Sequence, residues 1–229
     1  MASRNDWDRL NRQIVDCEAC PRLVAHRRQV ARVKRRAYLD WEYWGRPVPG
    51  FGDVNARLLM VGLAPGAHGS NRTGRMFTGD SSGDTLYAAL HRAGFANQPV
   101  SQRQDDGLEL RDAFITAVAR CAPPDNRPTR QELNNCATFL ARELELLSGV
   151  RVVLALGKIA FDGYLDLLQA LGRYEGKRPQ FGHGVAYRLD SSLPMLAASY
   201  HPSRQNTQTG RLTPAMLDKV LSQVRQWMD

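Results

Sequence analysis

Four cysteines are the residues whose types and spacing point most directly to chemistry in this sequence. Cys17 and Cys20 are separated by two residues in a short polar segment. Cys121 and Cys136 are separated by fourteen residues. Four thiolates are the ligand set of a structural zinc site or an iron–sulfur cluster, and the wide second spacing, together with Pro21 after Cys20, favours the cluster. The alternative is four unrelated thiols that pack as small apolar side chains.

A glycine-rich stretch at residues 62–83 contains the next group of candidates. Within it, Gly69 and Gly74 are spaced almost as in a phosphate-binding loop, but Arg75 and Met76 stand where that loop has Lys and then Ser or Thr. Hydrolysis of nucleoside triphosphates is therefore excluded. The glycines still allow backbone N–H groups to approach a ligand closely and to hold developing negative charge.

Three side chains are candidates for work on a substrate, and each has a structural alternative. Phe77 could stack on a planar base, or pack in the core as most phenylalanines do. Asp80 could act as a catalytic carboxylate, or cap the helix that follows it, a position for which Asp84 competes. His201 lies in SYHPSRQNTQTGRLTP, residues 199–214, which is either a surface turn or a loop that carries a catalytic histidine to a strand's end.

Four short apolar segments must position these residues. They comprise residues 57–63, 113–119, 150–156 and 194–200. Their continuous apolarity is typical of strands buried on both faces. Helical patterns lie between and after them, at residues 82–94, 129–149, 157–172 and 213–228. The alternation predicts an α/β fold with a central, mostly parallel four-stranded sheet flanked by helices, and ligands in such folds bind beyond the carboxyl ends of the strands.

Composition sets the broad class of the protein. With 229 residues, 43% of them hydrophobic, the chain is long enough for one core, and we expect a single domain over residues 1–229. A net charge of +8 indicates a polyanionic partner or simply a solvated basic surface, and about residues 1–55 form a basic N-terminal segment. No apolar run of about 18 residues and no signal-peptide segment is present, so we expect no membrane partner and a cytoplasmic location.

Taken together, these motifs resemble the uracil-DNA glycosylase superfamily and, within it, the iron–sulfur type B enzymes, also called family 5. The resemblance covers residues 17 to about 215. It rests on the four cysteines and on GLAPGAHGSNRTGRMFTGD (62–80), RCAPPDNRPT (120–129) and HPSRQNTQTGRLT (201–213). It implies a monofunctional, nucleoid-associated DNA glycosylase of base excision repair, which hydrolyses the N-glycosidic bond of a flipped nucleotide in double-stranded or single-stranded DNA.

The resemblance also implies a cofactor and roles for individual residues. A 4Fe–4S cluster on the four cysteines would staple the N-terminal segment to the sheet, and the protein is expected to be a monomer. Phe77 would stack on the flipped base, while His201 and the turn at residues 62–66 would stabilise its departure. Asp80 would activate water. The predicted site comprises catalytic Asp80, His201 and Asn126, and substrate-binding Gly62, Leu63, Ala64, Gly66, His68, Phe77 and Arg204.

Three positions depart from related uracil glycosylases. Leu63 and Ala64 stand where relatives have polar residues, and Ala117 stands where they have a base-reading Asn. A pocket with fewer fixed hydrogen bonds discriminates less, so we expect excision of uracil and of other deaminated bases such as hypoxanthine and xanthine. The alternatives are a non-catalytic DNA-binding module stapled by an iron–sulfur cluster or zinc, and a zinc nuclease or deaminase, whose His-x-Glu and Pro-Cys-x2-Cys pattern is lacking.

Overall fold

A computed structural model describes residues 3–228, in which one mixed sheet lies between two layers of helices. The strands are β1 (Phe51–Gly52), β2 (Leu58–Gly62), β3 (Ala113–Ala117), β4 (Val152–Leu156), β5 (Ala186–Tyr187) and β6 (Met195–Ser199). Their order across the sheet is β1-β3-β2-β4-β6-β5. The four predicted strands are confirmed as β2, β3, β4 and β6, which pair in parallel.

The four-stranded sheet of the prediction is extended by one antiparallel strand at each edge, β1 against β3 and β5 against β6. Each of these edge strands has only two residues, which is too short to show a hydrophobic period. Every residue of β2, β3 and β4 is buried, as expected where helices cover both faces of a parallel sheet.

Eight α-helices surround the sheet among residues 3–228. They are α1 (Arg4–Val15), α2 (Pro21–Val33), α3 (Ser70–Thr73), α4 (Ser81–Arg92), α5 (Arg130–Leu146), α6 (Lys158–Ala170), α7 (Arg204–Gln208) and α8 (Pro214–Met228). Single 3-10 turns lie at Arg36–Tyr38 and Pro124–Asn126. The four predicted helices are α4, α5, α6 and α8, and the capping box of Thr129 and Glu132 begins α5.

The two faces of the sheet bury separate apolar clusters. Helices α4 and α8 pack on one face, and α1, α5 and α6 pack on the other. Trp7 of α1 lies 5.1 Å from Phe114 of β3 between ring centroids, so α1 is part of the second cluster. In the described part of the chain, no helix is both long and apolar enough to cross a bilayer.

Candidate active site

Segments that follow three parallel strands meet at the carboxyl edge of the sheet. The ring of Phe77 lies 2.9 Å from the position that a Cβ on Gly62, at the end of β2, would occupy. A Cβ on Gly157, directly after β4, would lie 3.2 Å from the Cβ of His201. The rings of Phe77 and His201 are themselves neighbours, with centroids 5.7 Å apart. The expected convergence of distant segments at one edge is therefore present for these residues.

Phe77 has an unusual backbone conformation for its residue type. Its φ of 52° is in the left-handed region, where a non-glycine residue is strained and where such strain is often found at functional sites. The Tyr87 hydroxyl donates to the carbonyl of Met76 at 2.9 Å, which fixes the chain just before Phe77. A Cβ on Gly83 would overlap the Phe77 carbonyl, so the first turn of α4 requires a glycine at this position. Phe77 as a whole residue is 9% exposed.

His201 is held by its backbone and lies against the ring of Phe77. Its carbonyl accepts a hydrogen bond from the Asn206 amide at 2.8 Å, and Ser203 caps α7 by accepting from the N–H of Asn206. Burial lowers the pKa of His201 to about 4, because the surroundings disfavour the charged ring. At neutral pH the imidazole is therefore neutral and has one N–H to donate.

The two oxygens of Asp80 have different surroundings. Oδ1 accepts from the backbone N–H groups of Ser82 and Gly83 at 3.0 and 3.1 Å, so Asp80, rather than Asp84, caps α4. Oδ2 lies against Gly69, where a Cβ would overlap it. The same oxygen would lie 2.7 Å from a Cβ on Gly66. The cap is thus made by one oxygen only, and the other faces the glycine-rich turn.

The pKa of Asp80 is set by opposing influences. Burial raises it most, the backbone N–H groups of Gly83 and Ser82 lower it, the charge of Asp84 raises it, and the charge of Arg72 lowers it. The net effect is a pKa above the ordinary value for aspartate. A carboxylate whose pKa is raised towards neutrality is a better proton acceptor than an exposed one.

The turn that leaves β2 is tied to the neighbouring strand. The carbonyls of Gly62 and Leu63 accept from the N–H groups of Val118 and Ala119 at 3.0 and 2.9 Å. Gly66 closes a turn by accepting from the N–H groups of Gly69 and Asn71. Leu63, Ala64 and Gly66 are all half-buried at the start of this loop.

Three other predicted site residues show no hydrogen bond to Asp80 or to the His201 ring among the described residues. The Nδ1 of His68 is hydrogen-bonded to the Tyr43 hydroxyl at 3.1 Å, which fits the structural alternative for a loop histidine. Asn126 is exposed, with a φ of 55°, and Arg204 is exposed at the start of α7. Within residues 3–228, neither of these two side chains hydrogen-bonds to Asp80 or His201.

Two residues near the site were not among the predicted site residues, although one of them, Arg72, lies within the motif at residues 62–80. His183 accepts at Nδ1 from the N–H of Tyr200 at 3.2 Å and stacks on the Tyr200 ring at 5.1 Å, so it fixes the chain just before His201. Arg72 is 3% exposed and bonds two carbonyls of the glycine-rich loop. A histidine between glycines and an arginine in a loop give no periodic signal that would have identified either.

The four cysteines line one small enclosed cavity between the N-terminal segment and α5. All four are free thiols. Burial raises the pKa of Cys121 to about 12 and also raises that of Cys136. Within residues 3–228, no three His, Cys, Asp or Glu side chains form a group that would hold a metal ion.

The polar surroundings of this cavity fit an anionic group. Arg120 lines the cavity and is 1% exposed. Its Nη2 bonds Glu143 at 2.6 Å, while its Nε and Nη1 have no hydrogen-bond partner in the described residues. The Nε of the buried Arg27 is also unpaired. A cluster bound by four thiolates is negatively charged, and buried guanidinium groups would offset that charge.

Comparison with known proteins gives a consistent assignment. The family model described as uracil DNA glycosylase superfamily matches residues 49–225. A type-5 uracil-DNA glycosylase of Mycobacterium leprae is 53% identical over 218 residues, which are 95% of this chain and 93% of the relative. The type-5 enzyme of Thermus thermophilus is 52% identical over 92% of this chain and 93% of its own. A type-4 uracil-DNA glycosylase of Pyrobaculum aerophilum is 30% identical over 86% and 83%.

The match to the Mycobacterium leprae enzyme extends well beyond the three loop motifs, since it covers 95% of this chain, and the family model covers the whole sheet. The resemblance expected from the motifs is thereby confirmed. The chain belongs to the uracil-DNA glycosylase superfamily and groups with its type-5 members.

Proposed function

We propose that this protein is a monofunctional DNA glycosylase that hydrolyses the N-glycosidic bond of uracil in DNA and so begins base excision repair. The relatives named type-5 uracil-DNA glycosylase support the activity. The structural observation that carries it is the meeting of Phe77 and His201 at the strand ends, with Asp80 three residues after Phe77. A stacking ring, a hydrogen-bond donor and a carboxylate are the groups that base excision needs.

Charge separation in the reaction explains the need for these groups. As the bond from C1′ to the base breaks, its electron pair leaves with the base and positive charge develops on the sugar. The N–H of neutral His201 donates to a base oxygen and stabilises the departing anion, as do N–H groups of the turn at residues 62–66. Asp80 supports the positive sugar and accepts the proton of the attacking water, whose oxygen bonds to C1′.

We propose a base specificity broader than uracil. Leu63 and Ala64 offer no side-chain hydrogen bond at the start of the loop, and Ala117 is 1% exposed within the core. A site with fewer fixed hydrogen-bonding side chains leaves fewer polar groups unpaired when a different base enters, so it rejects hypoxanthine and xanthine less strongly.

The cysteines are proposed to hold a 4Fe–4S cluster. Cys17 and Cys20 precede α2, Cys121 follows β3, and Cys136 lies in α5. The cluster would act as a structural staple between these parts of the chain. The shared cavity and the unpaired N–H groups of Arg120 support this assignment.

The proposed partner is duplex DNA, bound by a monomer through exposed arginines. Arg28, Arg32, Arg35 and Arg36 are exposed around the end of α2. Arg27 belongs to the same basic stretch but is 2% exposed, and its Nη1 bonds the Gly45 carbonyl at 2.6 Å, so it is not a phosphate contact. Arg204 is exposed next to the site and available for the DNA backbone.

A base-release assay tests the function. Duplexes with one uracil, hypoxanthine or xanthine are incubated with the purified protein, and abasic sites are converted to strand breaks with alkali. Uracil duplexes are expected to break only after alkali, and breaks without alkali would contradict a monofunctional enzyme. Intact strands despite DNA binding would favour the non-catalytic alternative. The two other duplexes test the broader specificity in the same experiment.

A further inference from the structure

We propose that Arg72 is a positioning residue for base excision, and that Tyr38 and Trp41 of the N-terminal segment hold it in place. The inference rests on the proposed function, because the loop that Arg72 closes carries Phe77 and precedes Asp80 directly. Arg72 would not touch the substrate. It would act by fixing the carboxylate and the stacking ring relative to each other.

Arg72 bonds both ends of this loop. Its Nε donates to the carbonyl of His68 at 2.8 Å, and its Nη2 donates to the carbonyl of Gly79 at 2.7 Å. Residues 68–79 are thereby closed into a ring, and Asp80 is the next residue. Hydrogen bonds from a charged donor are shorter and stronger than neutral ones, so both ends of the loop are held firmly.

The guanidinium group lies in a corner made by two aromatic rings. Its Cζ is 3.9 Å from the centroid of Tyr38 and 3.9 Å from that of Trp41, and the two rings meet at 80°. The side chain is 3% exposed. A cation removed from water depends on such contacts, because the rings replace part of its lost hydration. The rings thus favour the one position from which Arg72 reaches both carbonyls.

The N-terminal segment also contacts the backbone around Arg72. The N–H of Trp44 donates to the carbonyl of Arg72 at 2.9 Å, and the N–H of Gly45 donates to the carbonyl of Asn71 at 3.0 Å. These bonds join α3, in the middle of the loop, to the chain that follows α2. Disturbance of the N-terminal segment is therefore expected to reach the glycine-rich loop.

The loop leaves no room for a different arrangement. Gly79 has a φ of 78°, and a Cβ there would lie 2.5 Å from the Nη2 of Arg72. A lysine at position 72 has one compact ammonium group in place of the planar fork, so it does not bond two separate carbonyls in the same way. Charge alone at this position is thus insufficient for the proposed role.

The charge of Arg72 also supports a connection to Asp80. It lowers the pKa of the Asp80 carboxyl, in opposition to burial and to the negative charge of Asp84 in the first turn of α4. Removal of this charge would raise the pKa of Asp80, so the pH below which the carboxylate is protonated and activity falls would move upward. A residue with only a structural role would not move this limb of the pH profile.

Single-turnover excision on a uracil duplex tests the proposal. We expect Arg72→Gln to slow excision by about 10- to 100-fold, since small displacements of catalytic groups have effects of that size, and to move the acid limb upward. Arg72→Lys should keep the acid limb of the pH profile at its wild-type position, but it should excise uracil more slowly than the wild-type protein. Trp41→Ala should slow excision while Trp41→Phe largely restores it. DNA affinity, from fluorescence anisotropy, should stay within about twofold for all four variants, because none of them removes a phosphate contact.

Arg32→Gln is the matched control, because it removes an exposed arginine of the same segment. It should weaken DNA binding and leave the acid limb in place. An Arg72→Gln protein with the wild-type rate and acid limb would overturn the proposal. If that variant does not fold, a wild-type rate in Trp41→Ala overturns it instead. An inactive wild-type protein would refute the proposed function itself, so the two failures are distinguishable.

Discussion

The rings of Phe77 and His201 lie 5.7 Å apart at their centroids, tilted by 31°. A base sandwiched between them would need about 6.8 Å, twice the ~3.4 Å spacing of stacked bases. The rings therefore form two adjoining walls of the site, and not a slot between them. A base that stacks on Phe77 meets His201 beside it, which is the placement that a donor to a base oxygen requires.

Phe77→Leu should lower excision by about 5- to 150-fold, the equivalent of the ~1–3 kcal/mol that stacking on an aromatic ring contributes. Leucine keeps most of the apolar volume in the core but has no flat face. Phe77→Tyr retains that face and should stay near the wild-type rate. Single-turnover rates and melting temperatures, measured together, separate the effect on the substrate from that on folding. Equal rates for the leucine and tyrosine variants would assign Phe77 to the core alone.

Asp80→Asn should lower the rate by about 100- to 1,000-fold, because it removes the charge that supports the sugar and the base that accepts a proton. The amide oxygen still accepts from Ser82 and Gly83, so the cap of α4 remains. Asp80→Ala loses both the catalytic carboxylate and the helix cap, so this variant should also be destabilised by about 0.5–2 kcal/mol. Asp84→Asn, in the first turn of the same helix, is the control. Excision rates and chemical denaturation are measured for all three variants. An unchanged rate in Asp80→Asn would show that Asp80 acts only as the cap of α4.

Gly69→Ala should reduce activity strongly, because the new Cβ would overlap Oδ2 of Asp80 and displace the carboxylate. Gly149→Ala is the matched control. A Cβ at Gly149 would lie 3.7 Å from the nearest atom, which is ordinary contact. Rates for both variants are compared on the uracil duplex. Similar activity in the two would show that the position of Oδ2 is unimportant.

Much of the fold was predictable because its signals are local. Continuous apolar segments identified the four central strands, and caps with apolar periods identified α4, α5, α6 and α8. The same reasoning, applied to Ser3, Asp6, Trp7, Leu10 and Ile14, would have found α1, since these residues form a capping box and one buried face. The edge strands have no such signal.

The site was predictable only in part. The sequence presented the cap and the catalytic carboxylate as alternatives for Asp80, whereas the structure gives the cap to Oδ1 and leaves Oδ2 at the turn. Arg72 and His183 were not predicted because the hydrogen bonds by which they hold the chain are made with backbone groups. Carbonyls of His68 and Gly79, or the N–H of Tyr200, have no signature in a sequence and become neighbours only when the chain folds.

Cys121→Ser should remove iron from the purified protein and lower its melting temperature on the order of 10 °C, because a structural metal group contributes directly to folding free energy. Asn135→Ala is the comparison. It deletes an amide that lies 3.3 Å from the Cys20 sulfur but leaves all four thiols. Iron content and visible absorbance are measured on protein prepared without oxygen. Zinc, or no metal, in the wild-type protein would contradict the iron–sulfur assignment.

The low pKa of His201 has a consequence for stability. In the folded protein this pKa is about 4, whereas an unfolded histidine has a pKa of ~6.5. As the pH falls below ~6.5, the unfolded chain binds a proton that the folded chain does not bind, so unfolding becomes more favourable. The loss of stability grows down to about pH 4, is complete below it, and should reach on the order of 3 kcal/mol.

His201→Gln removes this titration, so the stability of the variant relative to wild type should rise as the pH is lowered from 7 to 4. Urea unfolding at several pH values measures this difference, and carboxylates that titrate in both proteins cancel from it. His91→Gln, on the exposed face of α4, is the control for loss of a histidine. In the same variant, excision should be slow at every pH between 5 and 8, because the neutral ring is the donor throughout that range. A difference in stability that is independent of pH would mean that His201 has the same pKa in the folded and the unfolded protein, which would contradict the lowered pKa.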